Sequence, residues 1–209
     1  MKAFISLLIL LMGSYYIFFF VATSSLATVF FKLLPMLLII VYALFYYKKT
    51  GKHLAILVGL SVCMIADGVI IFSFIGGLVV FLIGHLFYLS AFLKVSSGEM
   101  KNKLIIIPFI LYMGAMGYFL LSAILNSGEV GMVVPVVFYI LVIGAMGISA
   151  VWTRNVYATI GSLLFIISDS VLAWNLFVES IPYSHVWIMT TYYGAQYFIA
   201  TSIGSLKTK

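Results

Sequence analysis

Long apolar runs separated by short polar breaks dominate this chain of 209 residues. A membrane-spanning helix needs about 20 apolar residues, and eight runs reach that length. They cover roughly residues 3–22, 26–47, 53–73, 75–95, 104–125, 131–152, 156–177 and 183–206. The first run is longer than the apolar core of a signal peptide, about 7–15 residues, so we count it as a retained helix. The pattern predicts an all-α membrane protein with a bundle of about eight transmembrane helices.

Composition supports a membrane protein and excludes a soluble one. Hydrophobic residues make up 65% of the chain and charged residues only 8%, whereas a soluble domain carries about 25% charged residues. Four prolines and no polar tract leave no room for a long linker. We therefore expect residues 1–209 to form a single integral membrane domain.

The positive charges predict the orientation of the bundle. In an eight-helix arrangement one side holds Lys2, Lys48, Lys49, Lys52, Lys94, Lys101, Lys103, Arg154, Lys207 and Lys209. The loops on the other side hold Glu129 and Glu179. The positive-inside rule then predicts that both termini are cytoplasmic. It also accounts for the net charge of +6, so we expect no nucleic-acid partner.

Two spans each carry one aspartate in a similar setting. The segment "GLSVCMIADGVIIF" (59–72) aligns with "GSLLFIISDSVLAW" (161–174), and the glycines and aspartates coincide 102 residues apart. Pro35 and Pro135 lie in the preceding spans at a similar spacing. The sequence therefore predicts a parallel internal repeat with halves at about 26–95 and 131–206.

Three charged residues are expected at one depth in the membrane. Asp67 lies fourteen residues into its predicted span, or about 21 Å, and Asp169 thirteen residues into its own, or about 20 Å. Lys32 enters from the other side by about 9 Å. In a hydrocarbon core about 30 Å thick, all three reach the outer third.

Burying these charges is costly, which calls for an explanation. A charge in lipid costs at least about 2.5–3.5 kcal/mol, so such residues face a bundle interior or a wet cavity. Lys32 and one aspartate could form a structural ion pair. A second acid then remains, and it must be protonated, hydrated or in use. We favour a functional cavity at this depth.

Further polar side chains could line that cavity. His85 and Tyr88 share one helix face, and the matching span of the second half carries Tyr192, Tyr193 and Gln196. The three histidines are predicted at different depths, so no metal site is expected. No phosphate-binding loop, serine elbow or redox motif appears, and no cofactor is predicted.

The chain resembles a known family from about residue 32 to residue 199. The segments that carry the resemblance are "KLLPMLL" (32–38), "GLSVCMIADGVI" (59–70), "GHLFYLSAF" (84–92), "PVVFY" (135–139), "GSLLFIISDSVLAWNLF" (161–177) and "YYGAQYFIA" (192–200). These are similar to the lysoplasmalogenase or YhhN-like membrane proteins. The chain has Lys32-Leu33 where the family usually shows Lys-Pro, and Ala66-Asp67 where it shows Gly-Asp.

The resemblance implies hydrolysis of the vinyl ether bond of lysoplasmalogens, which gives a fatty aldehyde and a glycerophospho head group. It also implies that Asp67 and Asp169 are catalytic. Paired carboxyl groups suit that chemistry, because one can deliver a proton while the other stabilises an oxocarbenium ion. We take Lys32, His85, Tyr88, Tyr192, Tyr193 and Gln196 as candidate substrate-binding residues.

Other functions remain open from the residues alone. Paired acids, a buried lysine and a parallel repeat would equally suit a proton-coupled transporter. The expected partners of the enzyme are a lysophospholipid and the lipid bilayer, while the oligomeric state is unknown. Short loops favour a bacterial cytoplasmic membrane, with the endoplasmic reticulum membrane as the alternative.

Overall fold

Eight α-helices form the bundle in the computed structural model, which describes residues 2–19, 26–95, 104 and 106–207. They are α1 (Lys2–Phe19), α2 (Leu26–Thr50), α3 (Leu54–Phe72), α4 (Phe74–Val95), α5 (Ile106–Ser127), α6 (Val133–Trp152), α7 (Val156–Phe177) and α8 (Ser184–Ser202). A 3₁₀ turn at Val130–Met132 precedes α6. No strand occurs in these ranges. The predicted all-α fold with eight helices is confirmed, and helix ends differ from the predicted ends by a few residues.

Seven of the described helices, α1 to α7, are long and apolar enough to cross a membrane. The eighth, α8, is less apolar because polar side chains point into the protein. Tyr192, Tyr193 and Gln196 of α8 are all buried. α8 packs against α1, α2, α3 and α7, and a helix surrounded by protein can carry polar groups that lipid would not accept.

Positive charges gather at one end of the bundle, which we call the cationic end. There Lys2 Nζ lies 3.7 Å above the ring centre of Tyr46 and joins the start of α1 to the end of α2. Lys52 and Lys94 border one cavity and join the start of α3 to the end of α4. The described cations of this end are Lys2, Lys48, Lys49, Lys52, Lys94, Arg154 and Lys207. Lys101, Lys103 and Lys209, also predicted here, lie outside the described residues.

The remaining helix ends follow the same division. At the cationic end Asn155 Nδ2 donates to Ser205 Oγ at 2.8 Å, so the start of α7 adjoins the end of α8. At the opposite end the rings of Phe74 and Phe177 lie 6.0 Å apart, so the start of α4 adjoins the end of α7. Glu179 follows α7 directly at this opposite end. The predicted placement at one end is therefore confirmed for Lys2, Lys48, Lys49, Lys52, Lys94, Arg154 and Lys207, whereas Lys32 lies inside the bundle.

Helix pairs in the two halves pack in a similar way. A Cβ at Gly59 of α3 would lie 3.2 Å from the carbonyl oxygen of Gly84 in α4. A Cβ at Gly161 of α7 would lie 2.9 Å from the carbonyl oxygen of Ala195 in α8. Glycine thus permits close backbone approach at corresponding positions. On the basis of this similarity we propose that the two halves form a parallel repeat.

Candidate active site

The first aspartate, Asp67, is held by two neighbouring helices. Lys32 Nζ of α2 lies 3.3 Å from Asp67 Oδ1. The Tyr192 hydroxyl of α8 donates to Asp67 Oδ2 at 2.5 Å. Only 2% of Asp67 is exposed, and a buried charge is tolerated when it is paired and hydrogen-bonded. Lysine and tyrosine together therefore stabilise Asp67 as a carboxylate.

The second aspartate, Asp169, has different neighbours. The Tyr139 hydroxyl of α6 donates to Asp169 Oδ2 at 2.5 Å. His85 Nε2 lies 4.0 Å from the same oxygen, beyond ordinary hydrogen-bond distance. Within the described residues, neither lysine nor arginine forms an ion pair with Asp169. Both acids thus accept a hydrogen bond from a tyrosine, but only Asp67 also lies beside a cation.

The two aspartates share a cavity of about 500 Å³, which we call the site cavity. Apolar side chains from α3, α4, α7 and α8 form much of its wall. Its polar lining consists of Tyr16, Thr28, Lys32, Asp67, Ser168, Asp169, His185 and Tyr192. The expected convergence of Lys32, Asp67 and Asp169 is therefore confirmed.

Helix boundaries explain why the aspartates meet. Asp67 lies thirteen residues after Leu54, the first residue of α3, and Asp169 lies thirteen residues after Val156, the first residue of α7. Both helices begin at the cationic end, so each acid is about 20 Å along its helix. Asn155 fixes the start of α7, because its side chain accepts a hydrogen bond from the backbone of the first turn at 3.0 Å.

Four predicted substrate-binding residues lie outside the lining of the site cavity. Tyr88 is fully buried, and its hydroxyl donates to Gln196 Oε1 at 2.6 Å. The Tyr193 hydroxyl donates to the carbonyl oxygen of Lys32 at 2.8 Å and so ties α8 to α2. His85 packs edge-on against Phe165, with ring centres 4.4 Å apart. Tyr193 thus supports Lys32, whereas Tyr88 and Gln196 contact each other. The roles of these four residues in binding remain predictions.

Sequence reasoning missed several residues that the fold brings to the site. Tyr16 of α1 and His185 of α8 meet at the cavity with ring centres 5.3 Å apart. Tyr139 contacts Asp169 directly. The segment "PVVFY" contains Tyr139 and was the one available signal, whereas nothing in the apolar first span distinguishes Tyr16 from a packing residue.

The described residues contain no group of three His, Cys, Asp or Glu side chains arranged to hold a metal ion. His53 lies at the cationic end, where its Nε2 is 3.3 Å from the carbonyl oxygen of Leu206. His85 and His185 lie near the aspartates instead. The polar groups that line the site cavity are two carboxyl groups, a lysine, an imidazole and several hydroxyl groups.

Comparison with known proteins assigns the family. The model of the YhhN family matches residues 27–203. This range includes both aspartates and the three residues that contact them directly, Lys32, Tyr139 and Tyr192. The chain belongs to the YhhN family. Its two acids, its buried lysine and the surrounding tyrosines are thus features of a YhhN-family membrane protein.

Parts of this chain are similar in sequence to two proteins of Homo sapiens. It is 31% identical to lysoplasmalogenase TMEM86A of Homo sapiens over 159 residues, which are 70% of this chain and 64% of the relative. It is 55% identical to lysoplasmalogenase TMEM86B of Homo sapiens over 42 residues, 20% of this chain and 19% of the relative. The matches thus span less than two thirds of the length of these relatives. No solved structure gives a significant match.

Proposed function

We propose that this YhhN-family protein hydrolyses the vinyl ether bond of lysoplasmalogens and releases a fatty aldehyde. One observation carries the proposal: a single cavity holds one carboxyl group paired with a lysine and a second without such a partner. Two relatives are named lysoplasmalogenases. The reaction needs a proton donor and an anion at the same centre, and this arrangement supplies both.

The environments of the two acids favour Asp169 as the proton donor. Lys32 pairs with Asp67 and stabilises its charged form. The side chain of Asp169 is 15% exposed, and a largely buried carboxyl group without a cationic partner is better accommodated in its neutral form. Tyr139 donates to Oδ2 of Asp169, so the acidic proton belongs on Oδ1. Pairs of acids whose environments differ in this way commonly divide the acid and base roles.

The proposed reaction begins with transfer of this proton to carbon. Asp169 protonates the vinyl carbon remote from the ether oxygen, which leaves an oxocarbenium ion on the other carbon. The carboxylate of Asp67 stabilises that cation and takes a proton from water as the water attacks. The hemiacetal then collapses: Asp67 returns its proton to the glycerol oxygen while Asp169 regains one from the hemiacetal hydroxyl. One water is consumed, and both acids return to their starting states.

The polar part of the site cavity suits the head group. Thr28 and His185 border the cavity near the opposite end of the bundle, beyond Lys32. A glycerophospho group there would meet hydroxyl, imidazole and ammonium groups, all of which can donate hydrogen bonds to phosphate oxygens. We assign choline and ethanolamine head groups equally, because the described lining residues include no group that selects between them.

Aldehyde release from a defined substrate tests the proposed function. Purified protein in phospholipid nanodiscs would receive an alkenyl lysophospholipid, with the saturated alkyl ether of the same chain length as control. We expect aldehyde from the alkenyl compound alone, because protonation at carbon requires the double bond. Absence of aldehyde from the alkenyl compound, with folded protein, would contradict a lysoplasmalogenase activity.

A further inference from the structure

A second cavity lies between α5, α6 and α7 and is almost wholly apolar. Met113 and Met116 of α5 face Ile140 of α6 and Ala173 of α7 across it. We call it the apolar groove. Its volume of about 70 Å³ is much smaller than that of the site cavity, although it borders α7 from residue 166 to residue 177, about 16 Å along the helix. A long and narrow space of this kind fits an extended chain better than a ring or a head group.

The apolar groove and the site cavity meet at Asp169. This residue borders both cavities, as do Ile70, Phe81 and Leu172. An elongated molecule could therefore occupy both spaces, with its middle part beside the carboxyl group. A lysoplasmalogen has this construction, because its vinyl ether joins a polar head to a hydrocarbon chain.

The polar groups of the apolar groove are already hydrogen-bonded. The Tyr139 hydroxyl donates to Asp169, and Tyr112 and Ser170 form a hydrogen bond with each other. The rest of the described lining consists of aliphatic, aromatic, methionine and glycine residues. An occupant therefore gains little from polar groups of its own, and hydrocarbon fits best.

The position of α5 suits entry from the bilayer. Leu120 and Ile124 are the two buried residues of this helix, so most of its surface faces outward. Methionines adapt to chains of different shape, and Met113 and Met116 stand on the inner side. The groove is thus separated from the outer surface of the bundle by one helix.

From these observations we infer that the apolar groove binds the aliphatic chain of the lysophospholipid. This inference rests on the proposed function and extends it, because it names the part of the molecule that determines chain-length preference. The chain would run between α5 and α7, the vinyl ether would lie at Asp169, and the head group would occupy the site cavity.

Substitutions on α6 test the inference by kinetics. Val136 lines the groove and is 5% exposed, whereas Val134 is 62% exposed on the same helix. Val136→Phe should lower kcat/KM about tenfold or more for a long-chain alkenyl lysophospholipid and less for a short-chain one, since each buried methylene contributes about fourfold. Val134→Phe should match the wild type with both. Equal effects of Val136→Phe on the two substrates would overturn the inference.

Photolabelling tests whether the chain binds in the groove, and it requires neither hydrolysis of the probe nor a substituted protein. The probe is a saturated alkyl ether lysophospholipid with a diazirine near the end of its chain, added to wild-type protein in nanodiscs. We expect labelled peptides from the groove-lining residues of α5, α6 and α7, and loss of label when unmodified lysophospholipid competes. Labelling confined to residues outside the groove lining would overturn the inference. Labelling of the groove that only a diacyl phospholipid displaces would also overturn it.

The aldehyde assay and the photolabelling experiment together distinguish the proposed hydrolysis from the proposed chain site. Wild-type protein that releases no aldehyde but is labelled in the groove would contradict hydrolysis and support the chain site. Wild-type protein that releases aldehyde but is labelled elsewhere would support hydrolysis and contradict the chain site.

Discussion

The two aspartates differ mainly in the side chains that contact their carboxyl oxygens. Lysine and tyrosine contact Asp67, whereas a tyrosine alone is hydrogen-bonded to Asp169. Their positions in apolar spans were sufficient to predict that they lie at one depth and converge. Which acid is paired with Lys32 could not be predicted, because both lie at the same depth and pairing depends on the lateral arrangement of helices. The contact between α2 and α3 determines that partner.

Loss of the Tyr139 hydroxyl should slow the reaction without weakening substrate binding. Tyr139→Phe removes the hydrogen bond to Asp169 and keeps the ring. A hydrogen bond of this kind contributes about 1 kcal/mol, so we expect kcat to fall about fivefold while KM is unchanged. Tyr118→Phe is the control, since Tyr118 is 70% exposed. An unchanged kcat for Tyr139→Phe would show that Tyr139 does not position Asp169 for the reaction.

Removal of Lys32 should impair both stability and turnover. Lys32→Met leaves the Asp67 carboxylate buried without its cation, and breaking a buried pair costs about 3–5 kcal/mol. Thermal unfolding in detergent measures the loss. The double variant Lys32→Met/Asp67→Asn should be more stable than Lys32→Met, because the unpaired charge is gone. Full activity of Lys32→Met would mean that the lysine has no part in the site.

At the scale of helices, sequence reasoning predicted the elements better than their contacts. The eight apolar runs correspond to eight helices because bilayer thickness fixes the length of a span. Tyr139 and His185 could not be predicted as site residues, because the periodicity of a sequence does not show which helices are neighbours. Tyr139 reaches Asp169 because α6 packs on α7, and His185 reaches the cavity because the start of α8 adjoins Tyr16 of α1.

Close packing of α7 on α8 should depend on Gly161. A Cβ there would lie 2.8 Å from Ile199 Cγ1 and 2.9 Å from a backbone oxygen of α8. We expect Gly161→Ala to lower the free energy of unfolding by about 1–3 kcal/mol through overpacking. Gly114→Ala in α5 is the matched control, because a Cβ at Gly114 meets nothing within 4 Å. Equal stability of the two variants would contradict this packing.

At the scale of the whole molecule, the charges predict how the bundle lies in the membrane. The described cations gather at one end, and Glu179 lies at the other. We propose that the cationic end faces the cytoplasm, as the positive-inside rule predicts. The site cavity then opens toward the outer side, where Thr28 and His185 lie.

Cysteine labelling in intact cells measures this orientation. Cys63 is buried and should not react with the maleimide, so the wild-type protein is the negative control. Thr50→Cys should react with a membrane-impermeant maleimide only after the cells are permeabilised, because Thr50 ends α2 at the cationic end. Glu179→Cys should react in intact cells. Labelling of Thr50→Cys from outside would reverse the proposed topology.

The central claim is that Asp67 and Asp169 act as one catalytic unit, and aldehyde release by single and double Asp→Asn variants tests it most directly. We expect Asp67→Asn and Asp169→Asn each to lose about 10²-fold or more in rate, since an amide can neither deliver the proton nor balance the cation. The double variant should be little slower than either single one, because residues that act together are not additive. Near-native aldehyde release by either single variant, with folding verified by size-exclusion chromatography, would contradict the paired-acid mechanism and favour a transporter.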